Sequence, residues 1–144
     1  MIYGLLIKTK FQVSKPLTLF NRIVRLRLPY DHAAIMFEEN GMLIVAEMKV
    51  FGGYTETPYD EWIKQYDREI VMEPMDCTIE DVRAHKGKKY DRASTFWALP
   101  VYILTGKWIG RKAIADRKLF CFEYYAILKK QPEFWLYMPG FEKK

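Results

Sequence analysis

Cysteine and histidine are scarce in this sequence, with two of each among 144 residues. Two cysteines cannot build the disulfide framework of a small secreted domain, and a chain this long does not need one. Both read as thiols in a reducing compartment. Neither has a second cysteine two to four residues away, so a zinc site assembled from Cys77, His85, Cys121 and His32 lacks the usual close pair. Glycine numbers only eight and nowhere forms a phosphate-cradling loop. Long apolar runs are missing too. The longest, Phe96 to Leu104, contains Pro100 and falls well short of the roughly 20 residues of a membrane span. The first residues, Met1 to Lys8, are too few for a signal peptide and lack a small-residue cleavage site. Neither sign of charge dominates: 23 basic residues stand against 18 acidic ones, for a net charge of +5. That excess permits an anionic partner without arguing for a dedicated nucleic-acid binder. The expectation is a single domain over residues 1–144, cytoplasmic, with no transmembrane segment and no cofactor.

What is present is apolar and aromatic. Half the residues are hydrophobic and 16% are aromatic, which excludes global disorder. Ile2 to Ile7 reads as a strand. Pro16 suits the first turn of a helix through Leu26, capped by Ser14, with Leu19, Ile23 and Leu26 at helical spacing. Arg22, Arg25 and Arg27 read as its solvated face, and Pro29 ends it. Two strand-like runs, His32 to Glu38 and Met42 to Val50, flank Asn40-Gly41, the strongest short-range hairpin signal. Gly52-Gly53 breaks the second run. Tyr59 to Tyr66 reads as a short helix, and Ile70-Val71-Met72 as a strand that stops at Pro74. Thr78 is a helix cap with Asp81 three residues on. His85 with Lys86 to Lys89 reads as an exposed basic loop. Asp91 caps a helix from Arg92 towards Leu104 that Pro100 bends. A last helix spans Leu119 to Lys130, before Pro132, with Phe120, Tyr124, Ile127 and Leu128 as its buried stripe. The aromatic tail, Phe134 to Phe141, packs back onto the body. Hairpins dominate over strand–helix–strand units, so the fold class is α+β.

The hairpin carries geometry. A two-residue turn pairs Glu39 with Met42 and Ala34 with Glu47, and side chains alternate faces along each strand. His32, Ala34, Met36, Leu43, Val45 and Glu47 then share one face, with His32 diagonal to Glu47. A carboxylate in that position fixes the tautomer of an imidazole and stabilises its charged form. The other reading is a surface cross-strand pair, and a three-residue loop would reverse the faces altogether. Cys121 falls in the first turn of the last helix. The free amide groups and the positive end of the dipole there favour a thiolate, while the plainer reading is a small core residue.

The order of these pieces resembles the circularly permuted NlpC-type papain-like hydrolases, relatives of the lecithin:retinol acyltransferase-like proteins, in which a His-bearing hairpin precedes a Cys-bearing helix. The matching segments are Ser14 with Asn21-Arg22-Ile23-Val24-Arg25, Tyr30-Asp31-His32-Ala33-Ala34-Ile35, Val45-Ala46-Glu47 leading to Gly52-Gly53, Gly87-Lys88-Lys89-Tyr90-Asp91, and Leu119-Phe120-Cys121-Phe122-Glu123. Two positions depart from the family pattern: Asp31 and Phe122 each stand where the family has Ser.

The resemblance implies a papain-like fold and a triad of Cys121, His32 and Glu47. His32 is then the general base and acid, Glu47 its orienting group, and the start of the Cys121 helix an oxyanion site. Tyr90 either adds a hydroxyl donor to oxyanion or substrate, or is a packed aromatic. No metal is implied. The expected activity is thiol-dependent hydrolysis of an amide or ester in a peptide, a peptidoglycan peptide or an acyl-bearing molecule. Two alternatives accompany it. One is an acyltransferase, for which Trp97, Trp108 and Trp135 would suit an apolar acyl group. The other is an inactive papain-like module used for binding or assembly in a phage or a cell envelope.

Overall fold

The computed structural model describes residues 1–9, 30, 32–65, 68–92, 101, 104–105, 118–119 and 121–132. Among them lies one five-stranded sheet made of β1 (Ile2–Thr9), β2 (His32–Glu39), β3 (Met42–Lys49), β4 (Gly53–Pro58) and β5 (Arg68–Pro74), in the order β4-β3-β2-β1-β5. Every neighbouring pair is antiparallel. A second, two-stranded sheet pairs β6 (Lys89–Tyr90) in parallel with β7 (Lys118–Leu119). The helices are α1 (Tyr59–Trp62), continued by a 3-10 turn over Ile63–Gln65, then α2 (Ile79–Arg83) and α3 (Cys121–Leu128). The class is therefore mixed α+β. No helix among the described residues is long and apolar enough to cross a membrane.

The hairpin forms in the register its turn dictates. Asn40 and Gly41 have φ of 52° and 76°, the pair of positive values a tight two-residue turn requires. Glu39 pairs with Met42 and Ala34 with Glu47. β2 is buried without interruption from Ala33 to Phe37, because the sheet is covered on both faces. On one face α3 packs against Leu6, Ala33, Ile35, Phe37, Ala46 and Met48. On the other, Trp62 of α1 packs against Leu5, Ile7, Ala34, Met36 and Val45. The small alanines and Gly4 let α3 lie close to the sheet, and a Cβ on Gly4 would come within 2.6 Å of the Tyr125 ring.

Capping sets the helix ends. Thr78 and Asp81 form a reciprocal capping box on α2. At the end of α3, Lys130 takes φ of 56°. Its N–H donates to Ile127 O and that of Gln131 to Ala126 O, the Schellman pattern with a lysine in the glycine position.

Several expectations are corrected. Leu119 belongs to β7, so the last helix begins at Cys121 and ends at Leu128. Its burial is not a stripe, since Cys121 to Ala126 are all buried. Gly52-Gly53 does more than break β3: it turns the chain into β4, whose alternating polar residues give no apolar run to read. The helix from Tyr59 is a single turn continued as a 3-10 turn to Gln65, and Tyr66 lies outside the described residues. His85 is half-buried and sets its ring edge-on against Tyr124 at 5.5 Å, rather than lying in an exposed loop. The helix from Pro16 to Leu26 with Arg22, Arg25 and Arg27, most of the helix expected after Asp91, and the tail from Phe134 lie outside the described residues. So do Asp31, Phe120, Trp97, Trp108 and Trp135.

Candidate active site

His32 is the first residue of β2, and Glu47 stands diagonal to it on β3. His32 Nε2 donates to Glu47 Oε2 at 2.7 Å. Glu47 is only 4% exposed, so its charge needs compensation. The Lys49 ammonium lies 3.2 Å from its other oxygen, Oε1. Burial alone would raise the Glu47 pKa. The His32 hydrogen bond and charge, helped by Lys49, overcome it and hold the carboxyl at about 2.

Cys121 reaches the histidine from the other face of the sheet. Its helix belongs to the core built on Ala33 and Ile35, whereas Glu47 lies on the Trp62 side with its register partner Ala34. The thiol and the ring meet where β2 begins and α3 begins. Burial pulls the His32 pKa down. The Cys121 charge, then the Glu47 hydrogen bond and charge, outweigh it and lift the imidazole to about 10. His32 therefore lies between two groups that favour its charged form. The three residues expected from sequence, Cys121, His32 and Glu47, are together.

The start of α3 is held by the small parallel sheet. Lys89 pairs with Lys118 and Tyr90 with Leu119, and the Asp91 N–H donates to Leu119 O at 3.1 Å. These bonds fix the strand that delivers the chain into Cys121. Tyr90 sits half-buried on β6, packed against the core to which Cys121 contributes. It also lines a cavity of about 610 Å³. Neither Cys121 nor His32 is among the described residues lining that cavity; Lys118, three residues before Cys121, is.

Lys49 was not singled out from sequence. It was legible, because residues two apart on a strand share a face. Among the described residues no group of three or more His, Cys, Asp or Glu side chains could hold a metal ion; Cys77 and His85 instead lie by α2, with Cys77 half-buried at its start and His85 against Tyr124. Comparison with protein-family models, with curated proteins and with solved structures returned no match.

Proposed function

We propose that this chain is a thiol-dependent hydrolase of papain-like, permuted NlpC-type design, cleaving an amide or ester through Cys121, His32 and Glu47. The observation that carries the reading is a single imidazole hydrogen-bonded to a buried carboxylate, with the charge of a cysteine at a helix start acting on the same ring. Glu47 occupies Nε2, which leaves Nδ1 for the thiol proton. With that proton on His32, the Cys121 sulfur attacks the carbonyl carbon and a tetrahedral oxyanion forms. Backbone N–H groups at the start of α3 are suited to bind it. The intermediate collapses to a thioester as the amine or alcohol departs with the proton from His32. Neutral His32 next takes a proton from water, hydroxide adds to the thioester, and the carboxylic acid leaves while the sulfur recovers its starting state.

Incubation with a panel of activated acyl esters and acyl amides, followed by peptide mass spectrometry, tests the reading. An acyl mass on the Cys121 peptide that clears with time, and that is missing in Cys121→Ala, is the expected result. Equal adducts on Cys77 and Cys121, or turnover that survives Cys121→Ala, would overturn it. The same experiment separates hydrolase from acyltransferase: water as the final acceptor gives free acid, whereas transfer gives an acylated second nucleophile.

A further inference from the structure

The cavity beside the α3 start has a chemistry of its own. Lys89, Arg92 and Lys118 all line it, and no acidic side chain is among its described lining residues. Lys89 and Lys118 are register partners on adjacent strands, and like charges placed opposite each other on neighbouring strands repel. The described residues offer neither lysine an ion-pair partner. Arg92 is braced rather than neutralised. Its Nε donates to Val50 O at 3.0 Å and its guanidinium lies over the Phe51 ring at 4.9 Å, so its terminal nitrogens remain available as donors. Gly52 and Gly53 line it as well and add no charge of either sign.

We propose that this cavity is an anion subsite, in which Lys89, Arg92 and Lys118 take a phosphate-type dianion carried by the substrate. Three unneutralised cations match a dianion better than a single carboxylate, which one arginine fork would satisfy. At about 610 Å³ the cavity also holds the organic body of a small molecule beside its phosphate. Lys118 is three residues from Cys121, so their Cα atoms are at most about 11 Å apart along an extended chain. That separation is short enough for one small molecule to span the cations and the sulfur. The anion subsite stands independently of the hydrolase reading; only its assignment to the substrate rests on that reading.

Calorimetric titration of the full chain with inorganic phosphate at low ionic strength tests the subsite, with N-acetylglycine as the carboxylate comparison. Saturable phosphate binding, tighter than that of N-acetylglycine, is expected. Removing one exposed cation at a time, in Lys89→Gln, Arg92→Gln or Lys118→Gln, weakens it about two- to fivefold, and the triple variant abolishes it. Thermal melts of the same variants check that the fold is intact. Cys121→Ala retains phosphate binding, which separates failure of the chemistry from failure of the subsite. Non-saturable binding, binding that the triple variant keeps, or equal affinity for N-acetylglycine would each overturn the proposal.

Discussion

Glu47 holds a negative charge among apolar neighbours, and the burial is tolerable because His32 and Lys49 both answer it. Glu47→Gln keeps the shape and removes the charge. The rate of thioester formation is expected to fall about 100-fold or more, carried in kcat with little change in KM, because the group that orients the base is lost. The His32 pKa, about 10 in the intact site, is expected to fall in the same variant, and an NMR titration of the ring reads it directly. An unchanged titration would mean the carboxylate does not act on the ring.

Helix and strand ends set where these residues arrive. Lys130 occupies a left-handed position at the end of α3 with φ of 56°, and its ion pair with Asp76 is largely exposed. Lys130→Gly relieves the backbone cost and is expected to stabilise the fold by about 0.5–1 kcal/mol, measured as a shift in denaturant midpoint at constant slope. Gly4 has the opposite sensitivity. Its missing Cβ is where the Tyr125 ring sits, so Gly4→Ala is expected to cost about 1–3 kcal/mol by overpacking and to push α3, with Cys121 at its head, away from the sheet. Gly53 is tighter still: its φ is +74° and a Cβ would meet the Lys88 carbonyl at 2.3 Å. That contact joins the β3–β4 turn to the segment that pairs with β7.

At the scale of the molecule, the parts legible in the sequence are those fixed locally. Asn40-Gly41 demanded one turn geometry, and the register, the shared face of Ala34 and Glu47 and the His32–Glu47 diagonal all followed. The Thr78–Asp81 box was equally local. What escaped depends on distant partners. β7 is a strand only because Lys89 and Tyr90 lie beside it, and α3 is buried on most sides because the sheet, Tyr54, Val82 and His85 close around it. The approach of Cys121 to His32 from the far face belongs to the same class; no periodicity encodes it. The ion pairs also set a pH window. The Glu47 pKa is lowered from 4.5 to about 2, so its contribution to stability is present above 4.5 and is lost as pH falls through 2. The His32 pKa is raised from 6.5 to about 10, so its contribution is full below 6.5 and is lost as pH rises through 10. Melting temperature should plateau between about pH 4.5 and 6.5 on these two groups and decline on both sides. The most direct measurement is iodoacetamide alkylation at pH 6, with the two cysteines resolved by peptide mass spectrometry. An unperturbed thiol is only about 0.3% ionised there, and burial pushes the Cys77 thiol up, which makes it the internal reference. Cys121 is predicted to react at least about tenfold faster than Cys77, and His32→Ala to erase the difference; equal rates in the unaltered protein, or a Cys121 rate indifferent to His32→Ala, would contradict the proposed chemistry.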